Sequence, residues 1–217
     1  MLKSVIFDMD GVIVDSHPVH MRVWRKFLSS IGKSVTDAEL EFVRDGRKKE
    51  DILRHFLGDL PDSMTEEYGR QKDLLLKKEI QRVRVIAGVR KLLNALNRAA
   101  IPMAVASCGS NGRVHTLLAL LRLREYFAAV VTAGDVPTGK PDPAIFRKAA
   151  EQMNVKPAES LVFEDSVSGV RAATAAGMKC VGIADCHRAK ALIAAGADYV
   201  LPNFAQASLA QIHRLFA

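Results

Sequence analysis

Two aspartates lie two positions apart at the end of an apolar segment near the start of the chain. The segment Val5-Ile6-Phe7 runs directly into Asp8-Met9-Asp10-Gly11. Alternate side chains of an extended chain point to the same side, so Asp8 and Asp10 leave the strand end together. Asp and Gly are also ordinary turn residues. A nearly continuous apolar run is typical of a buried parallel strand, however, and ligands bind at the carboxyl ends of such strands, which favours a catalytic or metal site.

A hydroxyl group and several small residues follow a later apolar segment. Ser107 comes directly after residues 103–106, and Cys108 and Asn111 lie in the stretch that opens the next helix. Small hydrogen-bonding residues at a helix N-terminus are typical of an anion-binding site.

Charged residues follow two further apolar segments. Lys140 is fixed between Gly139 and Pro141, and Glu164 and Asp165 follow the segment 161–163. Taken singly, Lys140 is an ordinary surface lysine and Asp165 a helix cap. Taken together, Asp8 and Asp165 could share a hard divalent cation such as Mg²⁺, while Lys140 and Ser107 hold phosphate oxygens. The set therefore indicates phosphoryl transfer.

The elements that must position these residues fall into two kinds. Residues 17–83 show helical spacing, with a first helix capped by Ser16 and ended by Gly32, and others at 37–43, 50–57 and 64–82. From residue 88 strands alternate with helices, which predicts a parallel sheet with right-handed crossovers. We expect an α/β protein with a doubly wound, Rossmann-like core of residues 1–15 and 88–217. Residues 16–87 form an inserted α-helical cap.

Composition and charge limit the possible partners. The chain has 217 residues, 49% of them hydrophobic and 25% charged, which is ordinary for a globular protein. Its net charge of +7 is spread along the chain, so we expect a small anionic ligand and no nucleic acid. No apolar run is long enough for a membrane span, and no signal peptide is recognisable, so a cytoplasmic monomer is expected. The three cysteines are expected to be small buried residues.

The motifs together resemble the haloacid dehalogenase superfamily. Asp8-Met9-Asp10-Gly11-Val12, Ser107, Gly139-Lys140-Pro141 and Glu164-Asp165-Ser166 match its four motifs in order, spacing and strand context. Within the superfamily, Asp15-Ser16, His20 and Trp24 resemble the phosphatase and β-phosphoglucomutase branch.

The resemblance implies a role for each motif. Asp8 would be the nucleophile that forms an aspartyl-phosphate, and Asp10 the general acid and base. Asp8, the backbone carbonyl of Asp10 and Asp165 would bind Mg²⁺, and Glu164 would either bind it directly or support its ligands from behind. Ser107, Cys108 and Lys140 would bind the phosphate, and the Lys140–Pro141 peptide bond would be cis.

Substrate choice would lie in the cap. The expected substrate-contacting residues are His20, Trp24, Gly46, Arg47, Lys49 and Asn111. Mutases of the family grip a second phosphate with an arginine where this chain has Lys49, and a lysine is a point charge without the bidentate fork.

A Mg²⁺-dependent phosphatase of a small phosphorylated metabolite, such as a sugar phosphate, is therefore favoured. The alternatives are a β-phosphoglucomutase-type transferase and a catalytically idle binding protein on the same fold.

Overall fold

The apolar segments form strands and the periodic segments form helices, as the sequence predicts. The computed structural model describes residues 1–216. Their strands are β1 Ser4–Phe7, β2 Val14–Asp15, β3 Arg84–Val85, β4 Met103–Ala106, β5 Ala129–Val131, β6 Ser160–Glu164, β7 Lys179–Ile183 and β8 Tyr199–Leu201. Their α-helices are α1 His17–Ser30, α2 Asp37–Leu40, α3 Lys49–Leu57, α4 Asp62–Glu79, α5 Val89–Arg98, α6 Asn111–Leu120, α7 Ala144–Gln152, α8 Val167–Ala175, α9 Cys186–Ala194 and α10 Leu209–Arg214.

Six of the strands form one parallel sheet. Its order is β5-β4-β1-β6-β7-β8, so the strand that precedes Asp8 lies between the strands that precede Ser107 and Asp165. Phe7 pairs in register with Val105 on one side and with Phe163 on the other. The carboxyl ends of parallel strands share one edge of the sheet. The topology therefore brings three of the predicted motifs to the same place, and the doubly wound α/β fold is confirmed.

Apolar side chains pack against both faces of the sheet. One cluster joins α5 and α6 to one face, and a second joins α7 and α8 to the other. A third, separate cluster lies among the helices of residues 17–79 and is built around Trp24, Phe27 and Phe56. This small helical core gives the inserted segment apolar packing of its own.

The two connections between the helical insertion and the sheet run side by side. Strands β2 and β3 form an antiparallel pair in which Val14 faces Val85 and Asp15 faces Arg84. Two residues on each chain are too few for a periodic pattern, so the sequence did not predict this ribbon.

Three local predictions differ from the structure. Ser16 does not cap α1 with its side chain; its hydroxyl donates to Asp10 Oδ1 at 2.5 Å instead. The helix expected at 37–43 divides into α2 and a 3₁₀ helix, Glu41–Arg44. Cys186 is exposed at the start of α9, whereas Cys180 is buried as expected and Cys108 is half-buried.

In the described part of the chain, no helix is both long and apolar enough to cross a membrane.

Candidate active site

Asp8 and Lys140 form a buried ion pair at the centre of the sheet edge. Lys140 Nζ donates to Asp8 Oδ1 and to Glu164 Oε1, each at 2.5 Å, and to the Ala106 carbonyl at 3.3 Å. All three ammonium protons are therefore used. Burial opposes the charge, but the two carboxylates hold the pKa of Lys140 above its ordinary value. The lysine thus remains a cation beside Asp8.

Asp8 keeps one oxygen for chemistry. Its Oδ2 accepts no hydrogen bond from residues 1–216, while the whole residue is only 5% exposed. Burial raises the pKa of Asp8 well above its ordinary value, against the pull of Lys140, and Glu164, Asp10 and Asp165 raise it further. The residues around Asp8 therefore supply too little positive charge to balance its negative charge.

Asp10 has different partners. Arg113 donates to both carboxylate oxygens, from Nη1 to Oδ1 at 2.8 Å and from Nη2 to Oδ2 at 2.5 Å. Ser16 donates to Oδ1 as well, and His20 Nε2 lies 3.3 Å from that oxygen. Burial opposes the effect, but Arg113 and His20 hold the pKa of Asp10 well below its ordinary value.

Asp165 completes the group of carboxylates. Its Oδ2 hydrogen-bonds to His17 Nε2 at 2.7 Å, and Arg188 donates to its backbone carbonyl at 2.8 Å. Gly11 lies against both His17 and Asp165 with a positive φ of 80°, and a Cβ there would overlap both side chains. Glycine is therefore required at the turn that follows Asp10.

The predicted phosphate-binding segment lies between β4 and α6. Ser107 is buried, and its Oγ accepts the Gly109 amide at 3.1 Å, which leaves the hydroxyl proton free to donate. Cys108 lines the cavity described below, and burial raises the pKa of its thiol. The Lys140–Pro141 peptide bond is cis, as the resemblance implied.

The helical insertion closes over this edge of the sheet. Asp45 accepts bonds from the Ser168 hydroxyl at 2.5 Å and the Ser168 amide at 3.2 Å. Lys48 Nζ donates to the Val136 and Pro137 carbonyls at 2.7 and 3.1 Å. Gly46, between them, has a φ of 69° and packs on Ser166 so closely that a Cβ would lie 2.8 Å from its Oγ.

The enclosed cavity has a volume of about 350 Å³. Ten of the predicted site residues line it: Asp8, Asp10, His20, Trp24, Gly46, Arg47, Lys49, Cys108, Asn111 and Asp165. Lys140, Ser107 and Glu164 are buried and do not line it. The structure thus brings residues from the sheet edge and the insertion around one space.

Two lysines share one carboxylate on the insertion side of the cavity. Lys49 Nζ donates to Asp73 Oδ2 at 2.6 Å, and Lys72 Nζ donates to Asp73 Oδ1 at 3.2 Å. Lys72 is buried with its Nζ 5.4 Å from the centre of the Trp24 ring, and burial lowers its pKa to about 8. Below that pH the group formed by Lys49, Lys72 and Asp73 carries one positive charge in excess.

Sequence reasoning did not identify Arg113, His17, Lys72 or Asp73 as site residues. Lys72 gave a usable signal, because it lies on the same helical face as Tyr68 and Leu76, where a buried lysine needs a partner. Arg113 gave none, since its partner Asp10 is 103 residues away in the chain.

Comparison with known proteins identifies similar chains. Residues 5–183 match the family described as haloacid dehalogenase-like hydrolase. A phosphorylated carbohydrates phosphatase of Thermotoga maritima is 32% identical over 206 residues, covering 90% of this chain and 92% of its own. A fructose-1-phosphate phosphatase of Escherichia coli is 33% identical over 185 residues, covering 83% and 95% respectively. The crystal structure of β-phosphoglucomutase from Clostridium difficile matches with a TM-score of 0.89 at 24% identity, covering 99% of this chain and 96% of its own, and shows the same fold.

Proposed function

The chain belongs to the haloacid dehalogenase-like hydrolase family, and from this premise we propose that it is a Mg²⁺-dependent phosphatase that hydrolyses a small phosphorylated metabolite, a sugar phosphate, through a phosphorylated Asp8. It is a phosphoric monoester hydrolase, since phosphatases in two organisms match most of its length. The observation that supports the proposal best is the Asp8 carboxylate beside the cavity: Lys140 fixes one oxygen, and none of the described residues donates to the other.

Asp8 is the proposed nucleophile. In the first step its free oxygen attacks phosphorus, the bond from phosphorus to the sugar oxygen breaks, and an aspartyl-phosphate forms. In the second step water attacks the same phosphorus, the bond from phosphorus to the Asp8 oxygen breaks, and inorganic phosphate leaves with the Asp8 carboxylate restored. Lys140 holds Asp8 in place and offsets the negative charge that gathers there, while the Ser107 hydroxyl donates to a phosphate oxygen.

Asp10 is the proposed general acid and base. It gives a proton to the departing sugar oxygen and later takes one from the attacking water. Both of its oxygens are held by Arg113, Ser16 and His20 in this structure. Arg113 must release at least one oxygen before Asp10 can carry this proton, because Arg113, against the effect of burial, holds the pKa of Asp10 well below its ordinary value.

The donor set fits Mg²⁺. Asp165 keeps one carboxylate oxygen that accepts no hydrogen bond within the described residues, and burial and the acids around Asp8 leave that carboxylate with too little positive charge nearby. Magnesium prefers oxygen ligands and retains several waters, so a few protein oxygens are enough to hold it. Residues 1–216 contain no cluster of three or more His, Cys, Asp or Glu side chains that could hold a metal ion by themselves. When bound by the Asp8 and Asp165 side chains and the Asp10 carbonyl, magnesium would neutralise charge on the phosphate.

In this proposal Glu164 does not bind the metal directly. Its Oε1 accepts Lys140, and its Oε2 accepts the Ser166 amide and hydroxyl at 2.8 and 3.0 Å. Both oxygens are used and the side chain is fully buried. Glu164 thus positions Lys140.

Residues 16–87 are the proposed cap, and the ribbon of β2 and β3 its hinge. The cap supplies Lys49, Arg47, Trp24 and His20 to the cavity and excludes water when it closes. Arg47 Nε is paired with Asp45 Oδ2 at 2.8 Å, and Lys49 with Asp73. Lys49, at the position where mutases of the family have an arginine, carries no bidentate fork for clamping a bisphosphate, which favours hydrolysis over the mutase reaction.

A β-phosphoglucomutase-type transferase is the alternative, on the strength of the shared fold. The purified protein with Mg²⁺ is incubated with β-glucose 1-phosphate and a trace of the 1,6-bisphosphate, and with a panel of sugar phosphates. We expect inorganic phosphate from at least one sugar phosphate. Formation of glucose 6-phosphate without a stoichiometric release of phosphate would contradict the phosphatase proposal.

A further inference from the structure

Arg113 is a largely buried cation that lines the cavity and lies against Asp10. It lies in the first turn of α6, its side chain is 10% exposed, and its guanidinium covers Gly109. A Cβ at Gly109 would overlap that guanidinium. The glycine at position 109 of the predicted phosphate-binding segment therefore leaves room for the Arg113 guanidinium beside Asp10.

The ion pair between Arg113 and Asp10 keeps the Asp10 carboxylate from reaching the substrate. A bidentate bond occupies one lone-pair direction on each Asp10 oxygen, and Ser16 and His20 crowd Oδ1 further. Asp10 can transfer a proton to a sugar oxygen only when the guanidinium yields at least one oxygen. Releasing a buried arginine from its carboxylate without a replacement is costly, because both charges are then left unpaired away from water.

Most carboxylates around the cavity already have partners. Asp73 accepts bonds from Lys49 and Lys72, Asp8 is bonded to Lys140, and Asp165 is bonded to His17. Glu50 lines the cavity as well, from α3. His20, whose Nε2 lies 3.3 Å from Arg113 Nη1, carries no negative charge in either protonation state. An anionic group of the substrate is the replacement that arrives only when the substrate binds.

We propose that Arg113 is a specificity-determining residue that selects phosphomonoesters bearing a second anionic group, by exchanging its bond to Asp10 for a bond to that group. A carboxylate or a second phosphate has the required chemistry, because both accept two parallel N–H bonds from guanidinium. Substrate binding and the release of Asp10 then occur together. This inference rests on the proposed phosphatase function and adds the substrate class.

The test uses pairs of substrates that differ only at the far end. Phosphate release with Mg²⁺ is measured for 6-phosphogluconate against sorbitol 6-phosphate, and for fructose 1,6-bisphosphate against fructose 6-phosphate. The wild type is expected to prefer the member with two anionic groups in at least one pair by about tenfold or more in kcat/KM, the scale of a charge-assisted hydrogen bond. The pair that shows the preference distinguishes a carboxylate from a phosphate.

Variants assign the preference to Arg113. In Arg113→Met the ratio within the preferred pair should fall to about one, and Arg113→Lys should keep part of it, since lysine retains the charge without the fork. Arg171→Met is the matched control, because Arg171 is exposed on α8 and does not line the cavity. Circular dichroism and thermal melting show that each variant is folded, and Arg113→Lys serves if Arg113→Met does not fold.

Two results would overturn the inference: equal kcat/KM within both pairs for the wild type, or a preference that Arg113→Met retains. Absence of phosphate release from every sugar phosphate would instead refute the proposed function, so the two failures are distinguishable.

Discussion

Asp8 and Asp10 lie two residues apart, yet their carboxylates have entirely different partners. Asp8 is bonded to a lysine that Glu164 also binds, and its other oxygen accepts no hydrogen bond within the described residues. Asp10 is held through both oxygens by an arginine. The difference arises because Asp8 directly follows β1, whereas Asp10 lies beyond the bend at Met9 and directly before the turn, so the two side chains meet different neighbours. Two identical side chains thus have different electrostatic environments.

Burial also disfavours the protonation of His20. Burial lowers its pKa from the ordinary 6.5 to about 4, so between these values the unfolded chain binds a proton that the folded protein excludes. His20 therefore lowers the free energy of unfolding as pH falls from 6.5 to 4, by at most about 3 kcal/mol at 1.36 kcal/mol per pKa unit.

Urea unfolding of the wild type and of His20→Gln across this range measures the effect. The stability difference between the two proteins should change with pH in favour of the variant. His213→Gln, at an exposed histidine of α10, should follow the wild type. Parallel loss of stability in wild type and His20→Gln would contradict the assignment.

At the scale of elements, the loop before α3 joins the proposed cap to the core on two sides. Asp45 binds the first turn of α8 through Ser168, and Lys48 binds the carbonyls that follow β5. Gly46 allows the close approach between them because its φ is positive. The loop thus serves as a latch, because its bonds join the helical insertion to the core in this structure.

Ser168→Ala removes one bond of this latch. The closed cap should become less populated, so that KM rises by about tenfold or less while kcat changes little. Hydrogen exchange of peptides covering residues 44–48 should become faster in the same variant. Ser63→Ala, an exposed serine of α4, is the control. An unchanged KM together with unchanged exchange would show that this bond does not hold the cap closed.

The sequence predicted elements better than it predicted contacts between them. The strand that precedes Asp8 and the helix lined by Val19, Trp24 and Phe27 follow from local periodicity, and the structure places both where expected. Ser16 was misassigned because a local cap and a bond to Asp10 compete for the same hydroxyl, and only the tertiary fold decides between them. Arg113 was missed for the same reason, since a pairing across a hundred residues leaves no pattern in the chain.

At the scale of the whole molecule, the strand order creates the site. Placing β1 between β4 and β6 brings the carboxyl ends of these three strands to one edge of the sheet, although the strands are far apart in sequence. Cations from both parts of the chain line the same cavity as these acids: Lys49 and Lys72 come from the insertion and Arg113 comes from α6. The net charge of +7 favours the approach of anions to the molecule in general.

Magnesium should stabilise the folded molecule if Asp8 and Asp165 share it. At a concentration a hundredfold above its dissociation constant it would add about 2.7 kcal/mol, which corresponds to a melting temperature higher by roughly 5 to 10 °C. Asp165→Asn should lose most of this shift, whereas Asp59→Asn, at an exposed cap position, should keep it. Equal shifts in all three proteins would place the binding of the cation elsewhere.

The most direct test of the central claim is to identify the phosphorylated residue. The protein is mixed with Mg²⁺ and a substrate from which it releases phosphate, quenched in acid within one turnover, digested and analysed by mass spectrometry. The peptide containing Asp8 is expected to gain the mass of one phosphoryl group, which hydroxylamine should remove, and Asp8→Asn is expected neither to gain it nor to turn over. Phosphate release at the wild-type rate by Asp8→Asn, or a phosphoryl group on any other residue, would contradict the claim.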